Sequence, residues 1–420
     1  MHARDPLSGV YTREAFLTLA DEMLRQNPGK QYDIVLSDFV GFKYFNERYG
    51  PATGDLLLIR TGQMLSTMAP GTLCGRYSGD KFVSLVEHLP PMAINFLDHF
   101  QLPSEAKEEL PIYSIVVKFG VCPIGDNSIP ASVSCDRAVL AVESVKHTYG
   151  KNVAIYDNSI GASAFNELLI EENMKAALEE KQFEVYYQPK INVKTGEVCG
   201  AEALVRWNHP TMGFMNPNLF IPLFEKNGFI TELDLYIWDE VCRTMAAWRS
   251  SGKKPIPVSV NVSRRDFNRD DLPQIIIRIL DTYQIDHSLF HIEVTESSYS
   301  DDPDTIVRSV DRLSEAGILI ELDDFGTGYT SLSCLNDLHI DIIKFDMSLL
   351  KKNNEPRHKA GILEFAMHIA EMMHITTIQE GVETAEEVET IRSLGTDIAQ
   401  GYYFSKPLPR QAFEQWLEAH

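Results

Sequence analysis

The sequence predicts an α/β chain of two domains, an N-terminal α+β domain followed by a (β/α)8-type, TIM-like barrel, and three observations carry that reading. The chain has 420 residues, whereas single hydrophobic cores stop growing at about 250–300 residues. Its first part mixes amphipathic helical patterns with short apolar strands, and from residue 185 onward short apolar runs alternate with long helical patterns. Strands separated by helices favour a parallel sheet, and this many units in about 240 residues favour a closed barrel over an open sheet.

Taken in order, the first domain spans residues 1–158, with strands expected at Ile34-Val35-Leu36, Phe82-Val83-Ser84-Leu85-Val86 and Tyr113-Ser114-Ile115-Val116-Val117. Around residues 157–163 the pattern lapses into small polar residues. Residues 159–182 therefore read as a linker whose helix, over 165–181, places Leu168, Leu169, Met174 and Leu178 on its apolar positions. The barrel domain is expected over 183–420, with strands at 185–187, 200–205, 258–262, 290–294, 318–322, 340–344 and 376–378.

The net charge of −22 is unevenly divided, −4 in residues 1–160 and −18 in the remainder. It argues against a groove for a nucleic-acid polymer, which is held mainly by basic side chains. A small phosphate-bearing substrate stays compatible, provided the carboxylates hold divalent cations. The six cysteines lack C-x-x-C spacing, which indicates neither a zinc site nor a disulfide framework and fits a reducing cytoplasm. There is no apolar run long enough for a membrane helix and no signal-peptide pattern at the start. The first domain begins almost at once, at Asp5, so the chain reads equally as the cytoplasmic part of a longer protein or as a short form.

The acids fall where chemistry would need them. Glu202, Asn261, Glu293, Asp323-Asp324, Lys344 with Asp346, and Glu380 each lie within or just past an apolar run. In a barrel the C-terminal strand ends converge on one mouth, so these residues would meet there. Any one of them alone is more simply a helix N-cap or an outward strand residue. Caps do not explain Glu202 and Glu293 inside apolar runs, where an unpaired charge costs several kcal/mol. A ring of carboxylates calls for cations between them, and one or two divalent metals are the economical solution.

These residues stand in motifs that resemble the EAL family of cyclic di-GMP phosphodiesterases: Glu202-Ala203-Leu204, Tyr187-Gln188-Pro189, Phe220-Ile221-Pro222-Leu223-Phe224-Glu225, Asn261-Val262-Ser263, Glu293-Val294-Thr295-Glu296, Asp323-Asp324-Phe325-Gly326-Thr327-Gly328-Tyr329, Lys344-Phe345-Asp346, Glu380-Gly381-Val382-Glu383 and Gln400-Gly401-Tyr402. The resemblance covers essentially all of the second domain. It implies two-metal hydrolysis of cyclic di-GMP to the linear dinucleotide pGpG, with two Mg²⁺ or Mn²⁺ ions per site. Glu202, Asn261, Glu293 and Asp323 would hold one ion, and Asp323, Asp324 and Glu380 the other. Lys344 would orient or polarise the attacking water, with Asp346 in support. Gln188, Arg206, Glu383 and Gln400 would contact substrate. Glu296 would steady a loop joining the metal site to the interface of a homodimer formed through this domain. Gln379 and Met347 depart from the family pattern without removing a ligand.

The first domain resembles the GGDEF diguanylate cyclases, through Asp5-Pro6-Leu7-Ser8-Gly9, Phe42-Lys43-Tyr44-Phe45-Asn46, Gly54-Asp55 and the stretch from Lys146 to Asn152. Its signature is degenerate, reading Ser78-Gly79-Asp80-Lys81-Phe82. Lys81 replaces the metal-binding glutamate, and Val40 replaces an acid usual two residues after Asp38. The resemblance thus implies a domain without cyclase activity that keeps Asn46, Asp55 and Lys146 as candidate GTP contacts, with a scaffold that binds nothing as the plain alternative. The inhibitory Arg-x-x-Asp site is absent, because residues 69–72 are Ala-Pro-Gly-Thr. For the whole chain, a hydrolase stands against a cyclic di-GMP receptor that signals to a partner without cutting. No ligand residue is lost, which favours the hydrolase.

Overall fold

The computed structural model describes residues 3–67, 72–100, 115–299, 303–326, 331–349 and 359–420. The chain divides into two compact units, Met1–Leu168 and Leu169–His420. The division falls inside a helix, Asn158–Glu179, which starts at Asn158 rather than at 165. The small polar stretch is its first turn. Asp157 Oδ1 accepts the N–H groups of Ser159 (2.8 Å) and Ile160 (3.1 Å), an N-cap that supplies what the missing apolar periodicity does not.

In the first unit six strands, β1 (Tyr11–Thr12), β2 (Tyr32–Val40), β3 (Leu73–Ser78), β4 (Lys81–Glu87), β5 (Val116–Ile124) and β6 (Val153–Ile155), form one sheet in the order β1-β3-β4-β2-β5-β6. Central β2 runs antiparallel to both β4 and β5. Helices Arg13–Gln26 and Ala131–Val145 bury Phe16, Ala20, Leu24, Cys135, Ala138 and Val142 in one core, while Phe45, Leu57 and Leu58 of helices Phe42–Tyr49 and Pro51–Ser66 enter a second. The close approach to helix Ala131–Val145 needs a residue without Cβ at position 120, where a Cβ would stand 2.0 Å from Ala138 O. Of the strand expected at 113–117, Tyr113 and Ser114 lie outside the described residues, as do residues 69–71 and Thr327, Gly328 and Tyr329.

The second unit is a closed eight-stranded barrel. Its members are β7 (Phe183–Asn192), β8 (Val198–His209), β10 (Val258–Asn261), β11 (Phe290–Thr295), β12 (Leu319–Phe325), β13 (Ile342–Phe345), β14 (Thr376–Gln379) and β15 (Ile398–Ala399), with short β9 (Gly213–Met215) and β16 (Leu408–Pro409) paired outside the ring. Seven strands are parallel, whereas β7 runs antiparallel to both β8 and β15. The alternation of runs suggested a uniformly parallel series. The connection from Asn192 to Val198 is a tight turn through Gly196 (φ 75°), far too short for the crossover that a parallel pair requires.

Candidate active site at the barrel mouth

Strand pairing brings the scattered polar residues together. Gln188 on β7 pairs with Glu202 on β8, Glu202 with Ser259 on β10, Asn261 with Glu293 on β11, and Glu293 with Glu321 on β12. The register of β12 against β13 shifts between Leu322 and Phe325, and Asp324 there takes a left-handed conformation (φ 56°). This bulge interrupts the strict alternation of faces and lets the adjacent carboxylates Asp323 and Asp324 serve one site. Carboxylate oxygens of Asp323, Asp324 and Glu380 lie within 4.8 Å of one another.

Lys344 stands at the centre and is fully buried. Its Nζ lies 2.8 Å from Glu380 Oε1, 2.9 Å from Glu293 Oε2, 3.1 Å from Asp323 Oδ1 and 3.7 Å from Glu202 Oε2. Burial opposes its charge, but Asp323, Glu202, Glu293 and Glu380 outweigh that and hold its pKa well above the usual lysine value. The acids feel the opposite pressure. Burial, then the neighbouring Glu293, pushes Glu202 up to about 7. Burial raises Asp323 strongly against the attraction of Lys344, and burial with the nearby Asp346 raises Asp324. Lys344, even with Lys190 3.6 Å from Glu293, leaves this group short of positive charge. All donors are oxygens, the set that suits hard divalent cations, and the residues fit such a cation.

The expected substrate contacts border this cluster. Gln400 Nε2 donates to Glu202 Oε2 and, at 3.1 Å, to Gln188 Oε1, while Gln188 Nε2 donates to Ser405 O at 3.2 Å. Asn261 Nδ2 reaches Glu202 Oε1 at 3.5 Å. The Arg206 guanidinium lies over the Tyr186 ring and donates to Val205 O. Glu383 lies in the loop just past Glu380, its N–H donating to Glu387 Oε2 at 2.7 Å. Asp346 Oδ1 accepts the Ser348 N–H at 2.8 Å. Glu296, buried, opens the short helix Glu296–Tyr299 directly after β11. Gln379, the departure from the family pattern, is buried and donates to Phe345 O (3.0 Å) and Glu380 O (3.1 Å), bracing the backbone that carries Glu380.

Beneath the mouth lies a second polar layer that the sequence reading does not contain. Lys190 Nζ donates to Glu321 Oε2 (2.6 Å) and Ser259 Oγ (2.7 Å), Ser259 Oγ donates to Glu293 Oε1 (2.5 Å), and His291 Nδ1 meets Glu321 Oε1 (2.8 Å). Each member sits two residues from a mouth residue on its own strand: 190 from 188, 259 from 261, 291 from 293 and 321 from 323. The period of two along inward-facing strand positions was the available signal.

In the first unit Lys146 Nζ lies 2.8 Å and Lys81 Nζ 3.4 Å from Asp38 Oδ2, and both reach Glu143 Oε1, at 3.4 and 2.9 Å. Asn46 Oδ1 is buried against Gly54, and Asp55 is exposed on the next helix.

The family model described as EAL domain matches residues 171–407, and that of the diguanylate cyclase, GGDEF domain, matches residues 2–151. The chain is 30% identical over 423 residues to the cyclic di-GMP phosphodiesterase NbdA of Pseudomonas aeruginosa, covering 99% of this chain and 54% of that protein. It is 29% identical over 391 residues to the bifunctional diguanylate cyclase/cyclic di-GMP phosphodiesterase MucR of the same organism, covering 91% and 56%. The chain thus spans about half the length of these curated relatives. Among solved structures, a MucR phosphodiesterase in complex with c-di-GMP matches with a TM-score of 0.56 and 32% identity, over 58% of this chain and 99% of that one.

Proposed function

The chain belongs to the EAL domain family, with a GGDEF domain in tandem before it, and on that premise we propose that it is a cyclic di-GMP phosphodiesterase yielding linear pGpG. The observation that carries the proposal is the complete set of oxygen donors gathered around Lys344 at the barrel mouth. Glu202, Asn261, Glu293 and Asp323 would hold one divalent ion, and Asp323, Asp324 and Glu380 a second. When bound, Mg²⁺ or Mn²⁺ ions supply Lewis acidity toward the attacking and leaving oxygens of the phosphodiester.

The chain's own groups do the remaining work. Lys344 keeps its proton among four carboxylates and orients water as a hydrogen-bond donor. Asp346, close enough to raise Asp324, tunes the charge beside it. Arg206 offers a planar fork to a phosphate, and Gln188, Gln400 and Glu383 hold the substrate at the rim. In this reading residues 183–420 form the catalytic domain and also a homodimer interface, toward which Glu296 steadies its loop. Residues 1–158 form a silent GGDEF domain that senses GTP through Asn46, Asp55 and Lys146. Residues 159–182 join the two.

Six thiols without a disulfide among them suit a cytoplasmic setting for this reaction, and among the described residues no helix is long and apolar enough to cross a membrane. Incubation with cyclic di-GMP and Mg²⁺, then Mn²⁺, tests the proposal. Appearance of the linear dinucleotide supports it, and tight binding with no product in either metal makes the protein a receptor.

A further inference from the structure

The interior of a closed eight-stranded barrel is ordinarily filled by layers of apolar side chains. The layer directly beneath the mouth is instead Lys190, Ser259, His291 and Glu321, all buried, and a buried ion pair is commonly less stable than apolar residues of like volume. Core packing therefore does not account for this layer, whereas its contacts lead upward to one carboxylate. Glu293 is buried with both oxygens engaged. Oε2 accepts from Lys344 Nζ at 2.9 Å, within the cluster at the mouth, and Oε1 accepts from Ser259 Oγ at 2.5 Å, in the layer below. The second bond has a fixed direction. A serine hydroxyl carries one proton, and the Lys190 ammonium 2.7 Å away, a donor only, takes a lone pair of the same oxygen, which leaves that proton for Glu293. Lys190 is itself held by Glu321 Oε2 at 2.6 Å and stands 3.6 Å from Glu293 Oε1, too far for a direct hydrogen bond. Ser259 is thus the group of this layer that fixes the plane of the Glu293 carboxylate.

We infer that Ser259 is a positioning residue for the divalent-ion site, holding the Glu293 carboxylate in the one orientation that presents Oε2 at the mouth, with Lys190 orienting the serine. The inference rests on the reading of Glu293 as an ion ligand and adds the group that sets its orientation. It is tested without substrate or turnover, by titrating Mn²⁺ into the full chain and reading free Mn²⁺ by electron paramagnetic resonance. Ser259→Ala is expected to weaken Mn²⁺ binding by about tenfold, the effect of removing a hydrogen-bond partner that orients a metal ligand, with far-UV circular dichroism unchanged. A purely structural role would leave that binding constant where it was. Because Ser259 acts through Glu293, the same substitution made in a Glu293→Gln chain, whose own affinity is already lower, is expected to change the constant by less than about twofold. Parent-like affinity in Ser259→Ala overturns the inference, and so does a tenfold loss that persists in the Glu293→Gln background. A parent chain that binds no Mn²⁺ instead overturns the ion-site reading on which the inference rests.

Discussion

Lys344 and Lys190 hold the barrel interior together from two levels, and the two lysines have different tasks. Lys344 faces the carboxylates that would hold metal, whereas Lys190 neutralises Glu321 and stands 3.6 Å from Glu293 below them. Removing one partner of a buried ion pair leaves an uncompensated charge. Lys190→Met is therefore expected to cost about 3–5 kcal/mol in urea unfolding. Adding Glu321→Leu should recover most of the loss, and no recovery would show that Lys190 acts through shape alone. At the mouth, Asp323 is the one residue assigned to both ions. Asp323→Asn is expected to lower hydrolysis by more than about a hundredfold with circular dichroism unchanged. Turnover near that of the parent would refute the two-ion assignment.

At the scale of elements, the turn after β10 directly follows Asn261 and is held by a pair of acids. Ser263 donates its N–H to Asp234 Oδ2 at 3.1 Å and its hydroxyl to Asp266 Oδ2 at 2.5 Å, while Trp238 Nε1 donates to Asn261 O at 3.2 Å. Burial, then the charge of Asp266 and a hydrogen bond to it, raises Asp234 well above the usual carboxyl value. A carboxyl with a raised folded-state pKa favours folding least once pH exceeds that pKa, because the folded state must then give up or strain a bound proton. Asp266→Asn removes the like charge and keeps the polar shape. Stability should rise by about 1 kcal/mol or more at pH 7, and the gain should shrink near pH 3, where Asp234 carries its proton. An equal gain at both pH values would assign the effect to packing. A second element is the helix Ala385–Leu394, which follows the Glu380 loop and is closed by a capping box between Thr384 and Glu387. Thr384→Ala is expected to cost about 1 kcal/mol, read by thermal unfolding.

For the whole molecule, ligands that bind only the folded chain must raise its apparent stability. Mg²⁺ or Mn²⁺ is expected to raise Tm in the parent and not in a chain carrying Asp323→Asn with Asp324→Asn, and EDTA should stop hydrolysis. A Tm shift that survives in the double variant would place the ions elsewhere. GTP should lower KM or raise kcat for cyclic di-GMP only if it binds the more active state preferentially. An activation that disappears in Asp55→Ala supports sensing by the first unit, and binding without any kinetic change reduces that unit to a scaffold.

The two-domain α/β class, the barrel and the mouth residues Glu202, Asn261, Glu293, Asp323, Asp324, Lys344 and Glu380 were legible in the sequence. Each follows from local periodicity, or from a polar residue within or just past an apolar run, and such patterns need no knowledge of distant neighbours. Three features were decided by tertiary structure. The antiparallel setting of β7 depends on which strands close the ring, although its short turn hinted at a hairpin. The bulge at Asp324 depends on the register of β12 against β13. The layer of Lys190, Ser259, His291 and Glu321 exists only because residues up to 131 positions apart face one barrel axis. Hydrogen bonds between such residues are a property of closure, and a chain read one residue at a time carries no record of which inward faces meet.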